Sequence, residues 1–67
     1  MTVAKVTEIT AQSPKSFEDA IQHGIARASK TLTHIKSAWI KEQKIVVENG
    51  RVTGYRVDMK VTFVLND

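Results

Sequence analysis

The chain has no cysteine, so neither a disulfide nor a thiolate metal site can hold it together. It has one proline and three glycines, and Gly24, Gly50 and Gly54 do not have the spacing of a phosphate-binding loop. Aromatic residues are few, with two phenylalanines, one tyrosine and one tryptophan. No apolar run approaches the length of a membrane span, and the first residues lack the apolar centre of a signal peptide. The expectation is a cytoplasmic protein with no membrane partner. The net charge of +3 is spread among carboxylates, a weak electrostatic footprint that argues against a nucleic-acid partner. Sixty-seven residues make one domain near the lower limit for folding alone, and small chains without staples often gain stability by self-association.

What is present is secondary structure in the order strand, helix, strand, strand. Thr2 to Thr10 is rich in β-branched residues and reads as a strand ended by Ser13-Pro14. Val3, Val6 and Ile9 do not share a face, so contact on both sides is expected. Ser16 is a good N-cap with Asp19 three residues on, and Glu18 and Asp19 favour the positive end of the helix dipole. Phe17, Ala20, Ile21, Gly24, Ile25, Ala28 and Leu32 follow at helical spacing. Gly24 costs about 1 kcal/mol relative to alanine inside a helix, which points to a close approach by another backbone.

Asn49-Gly50 is the strongest hairpin signal, because both central residues of a type I′ turn need φ > 0. After it, Tyr55, Val57, Met59, Val61, Phe63 and Leu65 alternate with polar residues. The preceding strand runs from about Lys36 to Glu48. A helix from Phe17 to about Thr31 is about 22 Å long, whereas a strand of this hairpin is about 43 Å long. The helix covers half the sheet, and the apolar overhang predicts self-association.

A two-residue turn predicts that Gln43 faces Arg56, Lys41 faces Asp58, Trp39 faces Lys60 and Ser37 faces Thr62. Lys41 and Asp58 then form a surface ion pair, and Lys60 lies over Trp39. The sole tryptophan stands on the polar face of the hairpin. It is either a subunit contact or a stacking platform for a flat ligand.

No catalytic constellation stands out, and the chain is not expected to be an enzyme. His23 and His34 are eleven residues apart, roughly 16 Å along a helix, and cannot chelate one metal within a subunit. Glu42, Glu48 and Asp58 lack the spacing of a calcium loop, which needs six to eight oxygens. Ser16, Ser29 and Ser37 have no evident base.

Several segments together resemble the dodecin family over nearly the whole chain. They are Gln12-Ser13-Pro14, Ala20-Ile21-Gln22, Ile25-Ala26-Arg27-Ala28, Lys30-Thr31-Leu32 and Met59-Lys60-Val61-Thr62-Phe63. The resemblance implies a single α+β domain over residues 1–67, a β-α-β-β subunit whose antiparallel three-stranded sheet partly wraps one helix. It implies a hollow homododecamer that stores flavin (riboflavin, FMN or FAD) without turning it over. In flavin-binding members the rings stack between tryptophans of neighbouring subunits on two-fold axes, and a glutamine hydrogen-bonds the polar end of the ring. Here the family tryptophan falls at Ser37 and the glutamine at Arg56. Trp39 keeps the same face about 6.6 Å further along the strand. Arg56 has no acceptor for an imide N–H, a part that Gln43 could supply. The cofactor-site candidates are therefore Trp39, Arg56, Gln43 and Ser37. Other family members are calcium-associated, so the alternative expectation is a shell of the same fold that binds ions or another small ligand instead of flavin.

Overall fold

A computed structural model describes residues 1–65. Asn49 and Gly50 have φ of 51° and 74°, the positive pair that a type I′ turn requires. The elements are β1 (Ala4–Ser13), α1 (Phe17–Ala28), β2 (Ile35–Glu48) and β3 (Arg51–Val64). They build one antiparallel sheet in the order β1-β3-β2, with α1 packed on β1 and β3. The expected single domain includes Asn66 and Asp67, which lie outside the described residues.

β1 starts two residues later than expected and continues to Ser13, because Ala11, Gln12 and Ser13 keep pairing with Val57, Arg56 and Tyr55. Pro14 then ends it, having no N–H to donate. The uneven alternation of this strand has a simple origin. Ile9 and Ala11 pack against the core, while Val6 is half-exposed on the other face.

Ser16 caps α1 by accepting from the Asp19 backbone N–H at 3.0 Å. The helix ends at Ala28 rather than near Thr31. The Ser29 hydroxyl donates back to the Ile25 carbonyl at 2.8 Å, and the Lys30 and Thr31 N–H groups bond to the Arg27 and Ala28 carbonyls. Such three-residue bonds tighten and close a helix.

Ala20, Val57, Met59 and Val61 are fully buried between helix and sheet. Gly24 allows the closest part of this contact, and its near neighbours are side chains rather than the expected backbone. A Cβ there would lie 2.8 Å from Met59 Cε and 2.9 Å from Ala11 Cβ. Met59 can swing its terminal methyl away, but Ala11 Cβ is fixed by β1. Gly24→Ala would gain about 1 kcal/mol of helix propensity against an overpacking cost of about 1–3 kcal/mol. The expected result is a lower urea midpoint, and Gly24→Val should lower it further.

The hairpin register departs from simple pairing at three shifts, between Ile35 and Ser37, Ile40 and Glu42, and Val46 and Val47. The shift near the turn leaves Thr53 extra on β3 and sets Gln43 opposite Val57 and Lys44 opposite Arg56. The next leaves Lys41 extra on β2 and sets Glu42 opposite Asp58. The two cancel, so Trp39 faces Lys60 and Ser37 faces Thr62 as expected. The expected Gln43–Arg56 and Lys41–Asp58 pairs do not form.

β1 pairs no further toward the turn than Ser13–Tyr55, and Phe17 of α1 meets Tyr55 edge-on at 5.2 Å. Beyond that rung the hairpin is two strands with no covering layer. Ile45 on that rung and Val47 and Val52 beyond it are 48%, 54% and 47% exposed. The chain spans 51 Å in its long direction, whereas the twelve residues of α1 reach about 18 Å. The overhang is larger than the sequence suggests and lies at the hairpin tip.

Candidate functional site

Because side chains alternate across a strand, the face of the sheet turned away from α1 collects the polar residues of all three strands. Its rungs, read from β1 through β3 to β2, are Glu8–Lys60–Trp39, Thr10–Asp58–Glu42 and Gln12–Arg56–Lys44. Ser37 lies on the same face, opposite Thr62.

Trp39 is 63% exposed. Its intrachain ring partner is Lys60, whose Nζ sits 5.3 Å from the ring centroid, worth about 0.5–1 kcal/mol at an exposed site. Lys41, displaced by its bulge, reaches across β3 to Glu8 Oε2 at 3.4 Å. Both side chains are about half exposed, so this pair contributes little. Thr10 Oγ1 donates to Asp58 Oδ1 at 2.9 Å. Arg56 Nε donates to Gln12 Oε1 at 3.0 Å.

Of the predicted site residues, Trp39, Ser37 and Arg56 share this outer face. Gln43 does not. Its partner Val57 is a core residue, so Gln43 belongs to the helix side of the sheet. Gln12 takes the place beside Arg56 from the other neighbouring strand. The alternation of Thr10 and Gln12 with Ile9 and Ala11 is the signal that extends β1 far enough to reach it. Trp39 and Arg56 are not brought together within one chain: their rungs are four residues apart on β3, about 13 Å.

A groove of about 570 Å³ runs between β1 and α1, lined in part by Ile9, Ala11, Leu32, His23 and Arg27. It includes neither Trp39 nor Arg56. His23 Nε2 lies 3.3 Å from Asp19 Oδ1, and Asp19 Oδ2 accepts the Ser13 hydroxyl. The carboxylate stands in the middle of this trio. Activation of a serine needs the imidazole in the middle, so the trio is structural. Among the described residues no group of three His, Asp or Glu could hold a metal.

The Ser13 hydroxyl, helped by His23 and Lys15, holds the Asp19 carboxyl below its usual value of 3.8 despite some desolvation. A depressed folded-state pKa stabilises the protein above the unfolded value, and that stabilisation is lost as pH falls through the folded value. Ser13→Ala should therefore move the acid-unfolding midpoint to higher pH, as followed by circular dichroism.

A family model, Dodecin, matches residues 3–66 of the chain. The chain is 35% identical over 65 residues to a dodecin of Thermus thermophilus, covering 97% of this chain and 94% of that protein. It is 33% identical over 63 residues to the calcium dodecin of Mycobacterium tuberculosis, covering 94% of this chain and 89% of that protein. Among solved structures, the dodecin from Streptomyces davaonensis superposes with a TM-score of 0.94 at 33% identity, over 98% of this chain and 97% of that one. The M. tuberculosis calcium dodecin, described with a novel calcium-binding site, superposes with a TM-score of 0.83 at 32% identity, over 96% and 91% of the two chains.

Proposed function

This chain belongs to the dodecin family, and from that premise we propose that it is a homododecameric flavin-binding and storage protein that carries out no catalysis. The observation that carries the reading is Trp39, a lone tryptophan 63% exposed on a largely polar sheet face. An indole left open in that way is a stacking surface. In a symmetric assembly a two-fold axis would bring two copies of it together and make a slot for flat rings. A bound flavin would supply the redox-active, light-absorbing ring, and stacking on indole would quench its excited state.

The residues fit this ligand with changed contacts. Trp39 offers a ring face in place of the one expected at Ser37, and Ser37 leaves a small hydroxyl one pair along. Arg56 offers donors only and so meets a ligand oxygen. Gln12 steadies Arg56, and its oxygen retains a second lone pair for an imide N–H. Gln12→Ala is expected to weaken flavin binding several-fold, whereas Gln43→Ala should leave it unchanged. Fluorescence titration measures both. We place this storage role in the cytoplasm. Among the described residues no helix is long and apolar enough to cross a membrane.

A second reading is a shell of the same fold that binds calcium or another small ligand. It is favoured by the calcium dodecin relative and by Ser37 at the usual tryptophan position. Calcium takes six to eight oxygens, so several subunits would share such a site. Quenching of riboflavin or FMN fluorescence at micromolar protein supports the first reading. Unquenched flavin together with calcium-dependent thermal stabilisation supports the second.

A further inference from the structure

Resting on the flavin reading, we infer that Lys60 is a displaceable cap on Trp39, and that Glu8 is the alternative partner that draws it off the ring when a flat ligand stacks there. The two partners flank it. Lys60 on β3 stands between Glu8 of β1 and Trp39 of β2, on one rung of the outer face. A lysine directly opposite a glutamate on the neighbouring strand is a favourable cross-strand pair. Here that pair is not made. Lys60 Nζ lies 5.3 Å from the indole centroid, and among the described residues Lys60 is in no ion pair.

The cause is the bulge in β2. The register shift between Ile40 and Glu42 leaves Lys41 extra on that strand, and its side chain crosses β3 to reach Glu8 Oε2 at 3.4 Å. Two lysines therefore compete for one carboxylate. Lys41 holds it, and Lys60 turns to the indole. The other carboxylates of this face do not take Lys60 from the ring. Asp58, two residues away on β3, accepts from Thr10, and Glu42 stands opposite Asp58 on the same rung.

Little free energy separates the two arrangements. Both side chains of the Lys41–Glu8 pair are about half exposed, so the pair is weak. The contact between an ammonium and an exposed ring is weak as well. Lys60 on Glu8, with Lys41 released to water, is therefore close in free energy to the arrangement seen. A ligand shifts such an equilibrium by its preference for one state, and a stacking ring prefers an uncovered indole. Glu8, on the side of Lys60 away from Trp39, is placed to receive the displaced ammonium. Lys60 is thus a positioning residue that sets how readily Trp39 accepts a flat ring, and Glu8 and Lys41 set where Lys60 rests.

Titration of riboflavin, which is uncharged at neutral pH, against the native assembly and three variants tests the inference. Lys60→Met removes the cap and should tighten riboflavin about two- to fivefold, the weight of one exposed cation–π contact. Lys41→Gln leaves Glu8 to Lys60 and should tighten it about twofold. Glu8→Gln removes the alternative partner and should weaken it about twofold. Unchanged or weaker binding in Lys60→Met overturns the cap. Lys41→Gln and Glu8→Gln that shift binding in the same direction, or not at all, overturn the exchange. In each of these cases riboflavin still binds and the flavin reading stands. If riboflavin stays fully fluorescent with every protein, the flavin reading fails, and the emission of Trp39, the sole tryptophan, decides the cap. Acrylamide should then quench Lys60→Met and Lys41→Gln more steeply than the native protein. Equal slopes in the native protein and Lys60→Met overturn the cap.

Discussion

Replacing Trp39 with alanine is expected to lower flavin affinity by a hundredfold or more while the assembly sediments unchanged. Each aromatic stacking face contributes about 1–3 kcal/mol by alanine substitution. In a symmetric oligomer the substitution removes both copies of the indole that line a two-fold slot. The combined loss of about 2–6 kcal/mol spans the roughly 2.7 kcal/mol that a hundredfold change in Kd requires. Trp39→Phe keeps an apolar ring face and should lose about tenfold or less. Sedimentation run beside the titration separates the two roles open to this residue. If Trp39 is instead a subunit contact, Trp39→Ala dissociates the assembly, and any loss of flavin follows the loss of assembly.

The second large effect concerns the hairpin tip. Val47→Asp is expected to convert the native assembly to small species at low micromolar concentration, as read by sedimentation velocity. Ile45 stands on the last rung of β1, opposite Tyr55, Val47 and Val52 lie beyond it, and all three are about half exposed in the single chain. A two-stranded hairpin is marginally stable alone in water, so a tip of this length needs an external partner. Burying an unpaired carboxylate at such a contact costs several kcal/mol, and the cost recurs at every symmetry-related copy. In the isolated chain Val47 is exposed, so the fold within the subunit should survive and far-UV circular dichroism should change little. A Val47→Asp protein that sediments like the native one would show that the tip is not buried by assembly.

The parts of this molecule that were legible in the sequence are those set by local stereochemistry. Asn49-Gly50 dictates the turn because few other residues accept positive φ twice in succession, and Ser16 dictates the start of α1 because its hydroxyl meets the Asp19 N–H. The run from Tyr55 to Phe63 announces its buried face by strict alternation. The bulges were harder to read. A residue added to one strand changes its partner without disturbing the polar pattern around it, and Lys41 and Thr53 are as polar as their neighbours. Gly54, isolated in a strand and adjacent to Thr53, is the one local mark of irregularity there. The error in pairing Gln43 with Arg56 follows from that single extra residue, since a one-residue slip moves a side chain to the opposite face. Gln12 was missed for a different reason. Its position beside Arg56 depends on how β1 returns to the sheet after the whole chain has folded, and the local sequence carries no register for that pairing. The end of α1 was overestimated because Ser29 and Thr31 continue a helical pattern while their hydroxyls offer the backbone other bonds.

In the proposed site Trp39 presents a stacking face for flavin even though the usual tryptophan position holds Ser37. The most direct test is titration of the purified native assembly into FMN at fixed flavin concentration, with flavin fluorescence as the signal. Progressive quenching that saturates at micromolar protein is the expected result. FMN that keeps its full fluorescence at that concentration would contradict it.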